Sequence, residues 1–366
     1  MSNKTYFITG GGTGGHIYPA VAVADALNTK GENIYYIGNP KNLEYDIVTG
    51  KGYKFLPVNI HGMPRSLNFD LIKWGIQLLF AVIKSAGYIL KYKPDAIFGT
   101  GGYVSAPIMI AARFMNKPYM MHDCDAQPGL VTRKLAPYAA IVSGAFESAQ
   151  KFINNKNFHV NGNPIRPQFK TLSKEQARNN LGLKDKLTLC VMGGSQGART
   201  INDATVALLK PLSQKYDIQI IFQTGKKNFE RVIEQLIRIY PDYETDKNLL
   251  IKPYFDDMVT ILKASDIAVS RAGSLSLSEI EAAGLASILI PYPHAAADHQ
   301  RKNAKYMVEK GASLYLEDSE TDEVKLGEKI EFMLNNPDKL SQLQENALKL
   351  AKYDGVEKIV EQLQSI

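Results

Sequence analysis

The chain has 366 residues, 45% hydrophobic and 22% charged, which excludes a disordered or low-complexity protein and suits about two domains. Lysine and arginine number 43 against 37 aspartate and glutamate, a formal net charge of +6. So mild an excess admits an anionic partner without requiring one. Two cysteines, Cys124 and Cys190, exclude a disulfide framework and point to a reducing compartment. No signal-peptide core opens the sequence, and no uncharged apolar run nears the ~20 residues of a transmembrane helix. The expectation is a soluble cytoplasmic protein, or one that rests on a membrane without spanning it.

In chain order, short β-branched and aromatic runs alternate with longer helical patterns, which predicts βαβ units on parallel sheets. The first series of expected strands is Thr5–Thr9, Asn33–Gly38, Asp95–Gly99, Pro118–Met121 and Ala139–Ser143. The second is Leu187–Met192, Ile218–Gln223, Leu249–Ile251, Asp266–Ser270, Ile288–Pro291 and Ser313–Leu316. Between them Asn161–Lys170 carries Pro164 and Pro167 and reads as an interdomain linker. The division expected is 1–165 and 166–346, with a C-terminal helix near 347–366 that could return to the first domain. Each half opens on a strand, a glycine cluster and a helix. The fold class is therefore α/β, two Rossmann-like doubly wound domains facing a cleft.

The first cluster, Gly10, Gly11, Gly12, Thr13, Gly14 and Gly15, lets the backbone approach a ligand and offers helix-start N–H groups to an anion. Pro19 is expected in the first turn of the helix that follows. A dinucleotide site fits less well, because Ile37-Gly38-Asn39-Pro40 supplies no acidic residue after the second strand. His16, at that helix start, has the ordinary acidity of a base near neutral pH; a histidine that merely caps the loop is the alternative. Gly193-Gly194-Ser195-Gln196-Gly197 repeats the design ahead of a helix expected at Ala198–Lys210. There Ser195 would meet a phosphate oxygen or simply cap the helix. A third loop, Gly99–Pro107, holds Gly102 and Tyr103.

Met121-His122-Asp123-Cys124-Asp125 could suggest a metal, but adjacent residues on one loop rarely converge on an ion, so polar groups reaching the cleft are expected with Cys124 buried. Arg271, Ser274, Leu275, Ser276 and Glu279 follow a strand. Glu279 either accepts from a ribose diol or closes a capping box with Ser276. His294, His299 and Gln300 surround a further helix start. Leu71–Pro94 interleaves Lys73, Lys84, Lys91 and Lys93 with Trp74, Leu78, Leu79 and other apolar residues. It reads either as a core-facing helix with a solvated lysine edge or as one that dips into an anionic interface, the tryptophan favouring the second. Nucleic acid is not expected as a partner.

Together the blocks GGGTGGHIYPA, GTGGYVSAP, GNPIR, GGSQGA, SRAGSLSLSEI and PHAAADHQRKNA resemble the MurG family of glycosyltransferases, in that family's order and over nearly the whole chain. The resemblance implies a GT-B fold and inverting transfer of N-acetylglucosamine from UDP-N-acetylglucosamine to undecaprenyl-pyrophosphoryl-N-acetylmuramyl-pentapeptide (lipid I), giving lipid II. It implies no cofactor, no required metal, and peripheral attachment of the first domain to the cytoplasmic face of the plasma membrane. On the donor it places Thr13, Gly14, Gly15, Asp125, Arg166, Ser195, Gln196, Arg271, Ser274, Leu275, Ser276, Glu279 and Gln300. On the acceptor it places Gly12, Thr13, His16, Gly102 and Tyr103, and at the membrane Trp74, Leu78, Leu79, Lys73 and Lys84. Where the family commonly reads HEQN, this chain has Asp125 in place of asparagine, so His16 and Asp125 both stand as candidate bases. Rival readings are a diacylglycerol glycosyltransferase, a UDP-sugar epimerase of the same fold and a non-catalytic membrane scaffold.

Overall fold

The computed structural model describes residues 3–64, 69–194 and 196–366. The chain divides into two compact units, Met1–Ile165 with Asp354–Ile366, and Arg166–Tyr353. Each unit is a parallel sheet with helices.

The first sheet holds β1 (Thr5–Thr9), β2 (Asn33–Gly38), β3 (Lys54–Pro57), β4 (Ala96–Gly99), β5 (Tyr119–Asp123), β6 (Ile141–Gly144) and β7 (Phe158–Val160). Their spatial order is β3-β2-β1-β4-β5-β6-β7. Thr9 pairs with Ile37 on one side and Gly99 on the other, so the order reverses at β1 and β4 and the loops after both leave from one edge. That edge is where an open parallel sheet binds ligands. Four helices matter to the site: α1 (Gly14–Thr29), α2 (Leu43–Gly50), α3 (Phe69–Tyr92) and α4 (Gly102–Phe114). Ile17, Val23, Ala24 and Leu27 of α1 pack on Tyr6, Ile8 and Tyr36, and the terminal helix Gly355–Gln364 adds Ile359, Val360 and Leu363 to that core. Ala81 and Ile89 of α3, with Ile108, Met109 and Ala112 of α4, join a core with Phe7 and Ile97.

The second sheet holds β8 (Thr188–Met192), β9 (Gln219–Gln223), β10 (Leu249–Lys252), β11 (Ile267–Ser270), β12 (Ala286–Leu289) and β13 (Ser313–Tyr315), in the order β10-β9-β8-β11-β12-β13. Its reversal lies between β8 and β11, where Met192 pairs with Ser270. Among the described residues no helix is long and apolar enough to cross a membrane.

Several local expectations change. β3 and β7 were not anticipated: both are short edge strands whose side chains are partly exposed, so neither shows the continuous apolar run of a strand covered on both faces. β12 lies earlier than expected and ends at Leu289, ahead of Pro291. α1 begins at Gly14, which puts Pro19 in its second turn, and the helix after the second glycine loop runs Arg199–Lys215. Of the stretch read as a linker, Asn161–Lys170, the part Asn161–Ile165 is buried, and the two units divide after Ile165. Asn161 donates to Ser143 Oγ at 3.0 Å and Asn163 to the Cys124 carbonyl at 3.3 Å, and these partners replace water.

Candidate active site

At the first switch point the backbone turns through Gly10–Gly12. A Cβ on Gly10 would sit 2.1 Å from Thr100 Oγ1, and Gly12 has φ +85°, so neither position accepts a larger residue unstrained. Thr100, in the loop after β4, clasps the start of α1: its hydroxyl donates to the His16 carbonyl at 2.6 Å, and its own carbonyl lies 2.8 Å from His16 Nδ1. A carbonyl can only accept, so Nδ1 carries the proton and Nε2 keeps its lone pair. No hydrogen bond among the described residues ends on Nε2. Gly102 has φ +73° and lies under the imidazole, with room for a Cβ only 3.1 Å from His16 Cδ2. Thr13 is the extended N-cap of α1, yet its side chain makes no cap hydrogen bond. Gly14 and Gly15 are the first helical residues, whose N–H groups have no partner within the helix. The Tyr103 ring lies against Gly12, and its hydroxyl accepts from Asn42 Nδ2 at 3.0 Å.

The end of β5 differs from expectation. His122 is fully buried in a closed network instead of reaching outward. Its Nδ1 lies 2.9 Å from Ser143 Oγ and its Nε2 3.2 Å from Asn163 Oδ1, an acceptor. With both nitrogens used, the imidazole stays neutral: burial drives its pKa down to about 4. Both ring nitrogens are committed within the network, and among the described residues no three His, Cys, Asp or Glu side chains form a metal-holding group. Burial raises the Cys124 thiol well above its usual range, against a nucleophilic role. Asp123 is buried, its carboxyl pushed up by burial and by Asp125, and accepts from the N–H groups of Asp125 at 3.2 Å and Gly129 at 3.1 Å. Asp125 itself is half-buried on the loop so held.

In the second unit Ser195 lies outside the described residues. The flanking glycines form a tight turn, Gly197 N–H donating to the Gly194 carbonyl at 3.0 Å. A Cβ on Gly197 would lie 2.0 Å from the Thr224 carbonyl, which fixes glycine there. Gln196 is exposed, and its carbonyl accepts from Asn228 at 2.9 Å. After β11 the helix Ser274–Ala283 starts behind Gly273, its N-cap. Ser276 is therefore the third helical residue and Glu279 the sixth, so no capping box forms. Glu279 pairs with Arg166 instead: Nε at 3.1 Å and Nη2 at 2.8 Å both meet Oε1. Burial raises the Glu279 carboxyl and Arg166 opposes the rise. Ser274 is buried at the helix start, with Leu275 and Ser276 half-exposed beside it.

Gln300 is oriented by two backbone amides, its Oε1 accepting from Ala272 at 3.2 Å and Tyr292 at 2.9 Å, which turns its NH2 group outward. Arg271 is more committed than its sequence position suggests. It donates to the Ile290 and Pro291 carbonyls, each at 3.2 Å, and to Asp318 at 2.6 Å. It braces the segments that follow β12 and β13 rather than offering a free guanidinium. Sequence reasoning missed Glu44, buried beneath the first glycine loop, and the Ser143–Asn161–Asn163 cradle of His122. Neither was marked in the sequence: Glu44 meets the glycine loop 32 residues away, and His122 meets Ser143 and Asn163 across 21 and 41 residues.

Residues 6–143 match the glycosyltransferase family 28 N-terminal domain and residues 188–361 the family 28 C-terminal domain. A UDP-N-acetylglucosamine–N-acetylmuramyl-(pentapeptide) pyrophosphoryl-undecaprenol N-acetylglucosamine transferase of Caldanaerobacter subterraneus subsp. tengcongensis is 38% identical, with 99% of each chain covered. The protein of the same description from Thermoanaerobacter sp. strain X514 is 36% identical, also with 99% of each covered. The crystal structure of Acinetobacter baumannii MurG superimposes with a TM-score of 0.81 at 25% identity, covering 99% of this chain and 100% of that one. With both switch points built as described and relatives of this identity spanning its length, the chain belongs to the MurG family of N-acetylglucosamine transferases, with the GT-B fold.

Proposed function

We propose that the chain transfers N-acetylglucosamine from UDP-N-acetylglucosamine to lipid-linked N-acetylmuramyl-pentapeptide, lipid I, making lipid II for peptidoglycan. The observation that carries the division of labour is the His16 Nδ1–Thr100 carbonyl bond, which leaves Nε2 free to accept a proton. In the step itself Nε2 takes the proton of an acceptor hydroxyl. That oxygen then bonds to the anomeric carbon from the face opposite the diphosphate, and the bond from that carbon to the β-phosphate oxygen breaks with its electron pair. UDP leaves and the configuration inverts. Charge developing on the diphosphate meets main-chain N–H groups of the second glycine loop and of the Ser274–Ala283 helix start. In this reading Ser195 and Gln196 lie on the diphosphate side, Arg166 and Glu279 take the ribose, and the outward NH2 of Gln300 reaches the sugar. Gly12, Thr13, Gly14, Gly15, Gly102 and Tyr103 frame the acceptor with His16. Asp125 is the second candidate base.

The reading extends to an anionic membrane surface, which would hold the lipid-linked acceptor at the cytoplasmic face. Its support is the outer face of α3, where Ile72, Ile76, Leu79, Phe80 and Ile83 are exposed and Lys73 and Lys84 lie alongside. Trp74 and Leu78 are half-buried, and Trp74 Nε1 donates to the His61 carbonyl at 2.9 Å. The tryptophan therefore ties α3 to its neighbouring loop, and Leu79, Phe80 and Ile83 are the residues offered to lipid.

The test supplies labelled UDP-N-acetylglucosamine with the lipid-linked muramyl acceptor, with diacylglycerol, or with neither. Label is expected in the muramyl lipid alone. Turnover only with diacylglycerol, or donor consumption without an acceptor, contradicts the assignment.

A further inference from the structure

Glu44 is the second residue of α2 and is fully buried. Its carboxyl oxygens accept three N–H groups, from Gly12, from Asn39 and from the Asn42 side chain, each at 3.2 Å. The same Asn42 nitrogen donates to Tyr103 Oη at 3.0 Å. No lysine or arginine among the described residues pairs with it, and the start of α2 is where a helix favours a carboxylate. The first glycine loop is seated directly on this group, since a Cβ on Gly11 would lie 2.5 Å from Glu44 Oε1.

This arrangement decides which loop amides face outward. Gly12 N–H is turned inward to Glu44, while Gly14 and Gly15 retain N–H groups that the helix cannot satisfy. An apolar side chain of equal volume could fill the space but would not make that choice. A carboxamide presents only one acceptor oxygen and places a donor against a donor.

We propose that Glu44 is a positioning residue for the acceptor: it seats the Gly10–Gly12 turn and, through Asn42, the Tyr103 hydroxyl, so that both present one geometry to the incoming muramyl lipid. This rests on the reading of the first loop as the acceptor side.

The experiment measures steady-state transfer by the full chain carrying Glu44→Gln, varying each substrate in turn, with thermal unfolding in parallel. The acceptor KM is expected to rise about tenfold or more, the loss of a charge-assisted hydrogen bond, while the UDP-N-acetylglucosamine KM stays within about twofold. Adding Tyr103→Phe to Glu44→Gln is expected to bring little further loss, because both act through one network. Asn42→Ala, which keeps the buried carboxyl and its two backbone donors but removes the bridge to Tyr103, is the second variant and is expected to shift the acceptor KM in the same direction. Unchanged acceptor KM in both folded variants overturns the role of Glu44 while leaving the transferase reading intact. A fall in kcat that follows the fall in Tm with no KM split reduces Glu44 to a structural residue. A rise confined to the donor KM overturns the acceptor-side reading itself.

Discussion

Arg166 and Glu279 lie 113 residues apart and share one ion pair that uses only Oε1 of the carboxylate. Glu279 Oε2 receives no hydrogen bond among the described residues, so one oxygen is held and the other is not. Removing Arg166 leaves burial as the dominant influence on Glu279 and raises its carboxyl further. Arg166→Ala is therefore expected to weaken UDP-N-acetylglucosamine binding about tenfold or more, and by more at pH 6 than at pH 8; calorimetric titration at the two pH values checks it. Equal loss at both would separate donor binding from the ionisation of Glu279. At this scale the sequence was partly legible. His16 and Glu279 follow glycine turns and Gln300 opens a helix, which announces them, whereas the orientation of each comes from elsewhere in the fold: Thr100, Arg166, and the amides of Ala272 and Tyr292. Nothing local to His122 marks it as a neutral pin, because Ser143 and Asn163 reach it only once β5 and β6 pair.

Elements were read best where both faces are covered. Central strands such as β1, β8 and β11 are unbroken apolar runs and stand out, while β3 and β7, on the sheet edge, do not. α3 shows why composition could not choose between its two readings: Ala81, Ser85 and Ile89 face the core while Leu79, Phe80 and Ile83 are 58%, 67% and 58% exposed. Replacing those three by Ser is expected to abolish sedimentation with phosphatidylglycerol vesicles while leaving Tm nearly unchanged, since none is in the core. Trp74→Ser is expected to lower Tm instead; retained vesicle binding by the triple variant contradicts the membrane face. On the helix Ser274–Ala283, burial pushes the Glu281 carboxyl up to about 8, with Lys352 opposing. A folded pKa above the unfolded one favours the protonated form, so stability is full below about pH 4.3 and falls as pH rises towards 8. Glu281→Gln is expected to raise Tm at pH 8 and leave it unchanged at pH 4. An equal change at both would mean that Glu281 is not held protonated.

Over the whole molecule, two sheets with the same switch-point design hold different side chains behind their glycine turns. The first presents an imidazole with its lone pair outward; the second presents a carboxylate, an amide and unsatisfied main-chain N–H groups. The two switch points were legible from the glycine clusters and their order, since each turn needs glycine for close backbone approach. The chain re-enters the first unit at Asp354, and Gly355 is seated there against the Asn161 and Asn163 carbonyls, with room for a Cβ only 3.0 and 3.1 Å away. No periodicity in the sequence reports such a contact. The central claim is that proton removal belongs to His16 and donor binding to the second unit. Single-turnover transfer by His16→Ala, run beside calorimetric titration with UDP-N-acetylglucosamine, tests it most directly. The account predicts a rate lowered about 100-fold or more with donor affinity within about threefold of the unaltered protein; transfer at the full rate, or donor binding lost together with it, would contradict it.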